Sequence, residues 1–334
     1  MTKKSHLSIL LAALTAGASL FPSSAKASAG KGDATKASEK AKVTSVSFAE
    51  TQEQKLEQIR VKYEKLLKQF QKEQADLYAA AETYLRQEEG YVAHPYLDCN
   101  GLIHTGCGIN IDNKDMFLSL PFQKTVKKEG GKTETEALTK AEKEAYYETL
   151  SALKADQKSR ASKHSAGYYK KFAPYTLSEE EHGRLFKEKY DEACLTLNQV
   201  YGVIGFNDLP QSMKLALVDL LFHRGPGAAK EYKLLLAACQ KNNFDEMKKQ
   251  ITVKSNGNEG LKRRNEHRQA LVDQAKKEKR LYTVSKLAPL EVQYNYLLQQ
   301  AGKKPVKTAF LTANPVKVVP NPAVQKLALD KGSR

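Results

Sequence analysis

Apolar residues recur every seven positions at Leu56, Tyr63, Phe70 and Leu77, with Ile59, Leu66 and Ala80 at the partner positions and Glu73 breaking the series. That spacing places one apolar stripe on a helix running over about 50–88. At roughly three heptads the stripe is short for a self-standing coiled coil. The pattern therefore predicts an amphipathic helix lying on a domain, with a homodimer seam through 56–80 as the alternative. From 91 to 112 short apolar runs flank Asn100-Gly101, which predicts a hairpin with a two-residue turn. This is the only clear strand signal in the chain. Residues 123–176 are rich in lysine and broken by Gly130-Gly131, and they read as an insertion with one helix from Lys140 to Lys154.

Beyond 177 the period is helical throughout. Ser178-Glu179-Glu180-Glu181 has the form of a capping box, and Leu185, Phe186, Tyr190, Ala193, Cys194, Leu197 and Val200 supply the apolar face that follows it. The helix opened by Pro210-Gln211 is apolar almost all round, from Met213 to Phe222, so it is expected at the centre of the domain. Shorter helices are expected over Leu234 to Cys239, Phe244 to Ile251 and Leu261 to Gln274. Residues 285–334 hold five prolines and many lysines, and they read as a mostly disordered basic tail with a helix near Leu290 to Gln299. The fold class is α+β, mainly α-helical.

The N-terminal segment suggests export. A basic start, Lys3-Lys4, precedes an apolar run from Leu7 to Leu20 that is too short to span a bilayer. Small-residue patterns then place signal-peptide cleavage after Ala27 or Ala29, for a periplasmic or secreted product. Residues 28–49 read as a disordered linker. The formal net charge is +16; losing Lys3, Lys4 and Lys26 takes three from it and leaves +13. For an exported chain, such an excess points to anionic envelope polymers or a membrane surface rather than nucleic acid. Export also permits disulfides among Cys99, Cys107, Cys194 and Cys239, but no pair has zinc-site spacing, and free or mixed thiols are expected.

The candidate chemistry lies between the long helix and the hairpin. Glu89-Gly90 puts a carboxylate at a helix C-terminus, where the helix dipole mildly disfavours it. Asp98 stands at the end of the first strand, and His104 on the second. Two carboxylates in different surroundings can divide acid and base work: one protonates a leaving sugar oxygen while the other handles water or an oxocarbenium-like centre.

The spacing of these residues resembles that of the phage-type lysozymes, the endolysins and muramidases. Glu89, eight residues, Asp98, five residues and then His104 follow that family's Glu, Asp and Thr, with His104 in the Thr position. Tyr96, Gly101 and Gly106-Cys107-Gly108 also match. Leu217-Val218-Asp219-Leu220-Leu221-Phe222-His223-Arg224-Gly225 resembles the family's buried helix ending in Phe-Asn-x-Gly, with His223 for Asn. Gly260-Leu261-Lys262-Arg263-Arg264 resembles its Gly-Leu-x-Arg-Arg segment. The likeness covers about 77–275, apart from the insertion.

It implies a lysozyme-like fold, with a small hairpin lobe and a helical lobe, over a catalytic domain of 77–284. It also implies cleavage of the β-1,4 bond between N-acetylmuramic acid and N-acetylglucosamine in peptidoglycan, without metal or cofactor. Glu89, Asp98 and His104 would be catalytic, and His223 and Arg263 would contact substrate, with Arg263 pairing Glu89. The alternative is a catalytically weak glycan-binding or envelope-anchoring protein on the same scaffold.

Overall fold

The computed structural model of the chain describes residues 34–306 except 162, 173 and 174, with side chains from residue 52 onward. The expected signal peptide and the last part of the basic tail lie outside the described residues. The chain divides into the units Met1–Lys55 and Leu56–Arg334. The described part of the first is helical, and the second holds the core. The fold is mainly α-helical with two small antiparallel sheets. No described helix is long and apolar enough to cross a membrane.

Helix α1, Ala34–Glu89, starts within the segment expected as a linker. From Ala34 to Ala49 that segment has no Gly or Pro and is rich in Ala and Lys, which favour helix. Gly90, at φ 71°, ends the helix. Tyr63 and Phe70 of the apolar stripe are buried against Val284, Leu287, Tyr294 and Leu298 of α12, Thr283–Gln300. The stripe, read as an amphipathic helix lying on a domain with a dimer seam as the alternative, thus packs at Tyr63 and Phe70 against the chain itself.

Strands β1 (Val92–Leu97), β2 (Ile103–Gly106) and β3 (Ile109–Asn110) form the first sheet, with Leu97 opposite Ile103, Tyr96 opposite His104, and His104 opposite Asn110. The first turn is longer than the two residues expected. Asp98 N–H donates to Leu102 O at 2.9 Å and Gly101 N–H to Asp98 O at 3.1 Å, closing a three-residue loop with Gly101 at φ 76°. The cause is Asp98 itself: its Oδ1 accepts from the backbone N–H of Asn100 and of Leu102, both at 2.8 Å, which favours the wider loop.

The insertion is more ordered than its composition suggested. After the short helix α2 (Lys114–Ser119) comes a second hairpin, β4 (Gln123–Lys127) with β5 (Thr133–Ala137), turning through Gly130 and Gly131. Helices α3 (Lys140–Ala152), α4 (Lys154–Ser159) and α5 (Ala166–Tyr169) follow. Thr139 and Glu142 make a complete capping box at α3. At α6 (Glu179–Tyr201), by contrast, Ser178 caps Glu181 N–H but the Glu181 side chain turns to Arg184 instead, so only half of the expected box forms.

Helix α8, Gln211–Arg224, is the central helix, buried from Ser212 to Phe222. Helices α6, α9 (Lys233–Gln240), α10 (Phe244–Gln250) and α11 (Glu259–Lys277) enclose the core around it. The short helix α7 (Val203–Asn207) leads into it. All four cysteines are free thiols; Cys99 is exposed and the other three are buried.

Candidate active site

Glu89 sits on the last turn of α1, and its two carboxylate oxygens meet different surroundings. Oε1 accepts from Arg264 Nη1 at 2.5 Å. Oε2 faces the β2–β3 turn, where a Cβ added at Gly108 would stand 3.4 Å from it. Gly108, at φ 74°, is constrained by its left-handed backbone, and the carboxylate lies within van der Waals contact of the space beside it. Lys189 of α6 donates to Gly108 O at 3.0 Å and lies 4.0 Å from the Phe222 ring centre. Burial lowers its pKa, and the nearby Glu89 charge acts against that shift.

Arg264 is held from behind. Asp219 of α8 is fully buried and accepts from Arg264 Nη2 at 2.6 Å and Nε at 3.0 Å. It also accepts from Arg268 Nε, and Arg268 is itself fully buried. One carboxylate thus holds two guanidinium groups a helical turn apart on α11, and the first of these reaches Glu89.

This corrects the expected partner of Glu89. Arg263 is exposed, and its neighbour Arg264 makes the pair. A helix turns about 100° per residue, so only the residues at i and i+4, Arg264 and Arg268, share the face toward α8. Arg263, exposed at the neighbouring position, makes no pair with Glu89 and stays only a candidate surface contact for substrate. The neighbouring Glu88 is largely buried, its side chain 8% exposed, and pairs with His267 Nδ1 at 2.5 Å.

His223, at the end of α8, joins the cluster through Nδ1, which accepts from Arg264 Nη1 at 3.2 Å. An arginine only donates, so Nδ1 is the unprotonated nitrogen. Burial, then the Arg264 and Arg268 charges, push its pKa down to about 4. Part of the ring remains exposed beside the cluster.

Asp98 and His104 lie together on the first hairpin. Asp98 Oδ1 is occupied by the turn amides, while Oδ2 meets only Asn100 Nδ2 at 3.4 Å. His104 Nδ1 donates to Leu102 O at 3.0 Å, since a carbonyl can only accept. In the neutral ring, Nε2 is then left as an acceptor. Tyr96 stands across from His104, their ring centres 6.1 Å apart. Its hydroxyl is pushed up to about 12, by burial first and then by the charges of Glu89, Cys107 and Asp98. Tyr96 is thus the residue within electrostatic reach of both carboxylates.

The structure therefore brings Glu89 and His223 into one cluster through Arg264, and sets Asp98 and His104 on the first hairpin. Behind the hairpin, His182 hydrogen-bonds Tyr91 Oη through Nδ1 at 2.9 Å and Thr105 Oγ1 through Nε2 at 3.0 Å, one nitrogen donating and the other accepting, which ties α6 to β2. Sequence reasoning gave no role to Asp219, Arg264, Lys189 or His182. Asp219 carried a signal: a lone acid in the run from Leu215 to Phe222 needs a buried cation.

Among the described residues, no group of three His, Cys, Asp or Glu side chains is placed to hold a metal ion. A cavity of about 710 Å³ opens between the start of α9, the loop after α10 and α11, lined in part by Lys233, Lys249, Lys254 and Lys262; none of the Glu89 cluster lines it. The sequence matches no protein-family model and no curated protein.

Proposed function

We propose that the chain is an exported muramidase with a lysozyme-like fold. It cleaves the β-1,4 bond between N-acetylmuramic acid and N-acetylglucosamine in peptidoglycan by carboxylate acid/base chemistry. The observation that carries this reading is the division of labour at Glu89. One oxygen is anchored by Arg264, and the other faces Gly108 in the turn that follows β2, the strand that carries His104.

In this reading Oε2 of Glu89 protonates the glycosidic oxygen as the bond breaks, and the Arg264–Asp219 pair fixes its direction. Asp98 Oδ2 and His104 Nε2 both keep acceptor capacity, which suits them to orient a water and take up its proton. Inversion at the anomeric carbon belongs to this reading: it is the outcome of a site that admits a water between two carboxyl groups ~6.5–9.5 Å apart. His223 borders the cluster and contacts the glycan. Glycan strands are the substrate, and the cationic surface, including the lysines of the cavity beside α11, favours anionic envelope polymers.

Mass analysis of digested peptidoglycan tests the reading. Wild type is expected to release muropeptides with N-acetylmuramic acid at the reducing end, and Glu89→Gln to be ~10²–10⁴-fold slower while remaining folded, the usual range for general acid–base assistance. Activity of Glu89→Gln within a few-fold of wild type would remove Glu89 from the mechanism. Binding of sacculi by wild type without fragment release would make the chain a glycan-binding envelope protein on the same scaffold.

A further inference from the structure

The 123–176 insertion has no counterpart in the lysozyme resemblance, yet it grips the hairpin at several points. Gln157 of α4 is 1% exposed and lies under the Asp98 turn. Its Nε2 donates to Asp98 O at 3.2 Å and to His164 O at 3.3 Å, while its Oε1 accepts from His164 N–H at 3.0 Å. One buried amide thus joins the 98–102 turn to the loop that follows α4.

The contact is close on the backbone side as well. A Cβ added at Gly101 would stand 2.8 Å from the carbonyl oxygen of Lys154. Lys154 Nζ pairs with Asp112 Oδ1 at 2.6 Å, and that same oxygen accepts from Ile103 N–H at 3.1 Å. On the outer strand, His94 Nε2 donates to Ala166 O at 3.0 Å. The loop carrying Asp98 therefore rests on α4 along its length.

We propose that Gln157 is a positioning residue for Asp98, and that the insertion serves the site as a brace for the 98–102 turn. The proposal rests on the reading of Asp98 as a residue that acts on substrate. Gln157 bonds only the main chain of Asp98, so it works by fixing the turn that carries the Asp98 side chain. A buried amide lost from this point leaves the Asp98 carbonyl one donor short and frees α4 from the turn.

The test uses the full chain with Gln157→Met, which keeps volume without a donor or acceptor, and with Gln157→Ala as a second variant. Hydrogen exchange at the Gly101 amide, whose bond to Asp98 O closes the turn, should speed up tenfold or more in both variants. Amides of α8 should stay at wild-type rates. On peptidoglycan, kcat should fall about tenfold while KM moves less than twofold. Lys114→Ala, which breaks an exposed pair between α2 and the insertion, should change neither readout. Unchanged kcat with faster exchange would reduce Gln157 to a structural contact, and unchanged exchange would overturn the proposal outright. If wild type releases no fragments, the muramidase reading fails by itself, and the exchange result still decides whether Gln157 holds the turn.

Discussion

At the scale of single residues, the site is organised by one buried acid. Asp219 is fully buried, and its carboxylate compensates two guanidinium groups, one of them fully buried as well. Removing one member of such a set leaves uncompensated charge in a low-dielectric interior, at a cost of ~3–5 kcal/mol. Asp219→Asn is expected to lose stability of that order in urea unfolding at neutral pH, and to lose activity as well, since Arg264 no longer holds its line to Glu89.

His223 gives a prediction of opposite chemistry. Its folded pKa, about 4, lies below the unfolded value near 6.5, so the unfolded chain binds more protons between those values. Stability is then fully present above pH 6.5 and is lost as pH falls toward 4. The ring keeps an exposed edge, which makes the effect smaller than full enclosure would. His223→Asn, which can still accept from Arg264, should show a shallower loss over that window when urea midpoints are compared at pH 7 and pH 5.

At the scale of elements, the longer helices were legible because their apolar faces are periodic, while the short helices α2, α4, α5 and α7 span too few residues to show a period. The strands and joints were legible only in part. The first hairpin was visible in Asn100-Gly101, but its loop length was set by the Asp98 side chain, which adjacent residues alone do not reveal. The second hairpin was hidden because both its faces are largely exposed, so no apolar alternation marks it. Glu89, Asp98 and His104 stood out by spacing, whereas Arg264, Asp219 and Gln157 act across separations of 175, 45 and 59 residues that no local pattern encodes.

The β2–β3 turn shows how an element serves the site. Gly108→Ala puts a side chain at φ 74° and against Glu89. A left-handed backbone costs a non-glycine residue ~1–2 kcal/mol. The variant should therefore unfold earlier by about that amount, while its methyl, 3.4 Å from Oε2 and so at ordinary contact distance, leaves the carboxylate in place and activity per folded molecule near wild type. A large loss of activity per folded molecule, measured on purified protein, would show that the strained turn moves Oε2.

At the scale of the whole molecule, the domain is larger than its catalytic signature. Pro289 and the prolines beyond it made 285–334 look like a tail, but the chain forms a helix from Thr283 to Gln300 through Pro289. The spacing of Val284, Leu287, Tyr294 and Leu298 explains why: all four fall on one face and are buried against Tyr63 and Phe70. Asp208, itself buried, accepts from the Val284 N–H at 3.0 Å and satisfies the start of the helix from another part of the chain. Thr283 Oγ1 donates to Glu73 at 2.7 Å and fastens the same end to α1. Packing and capping from outside thus outweigh the proline, which removes one internal bond. Burying an apolar side chain contributes ~1.5–3 kcal/mol, so four of them rival the ~5–15 kcal/mol by which a whole domain is stable. A chain ending at residue 306 should keep the wild-type urea midpoint. One ending at 282 should unfold at a markedly lower denaturant concentration, because Tyr63, Phe70 and the Asp208 carboxylate lose their partners together. Equal midpoints for the two would show that α12 lies on the domain without stabilising it.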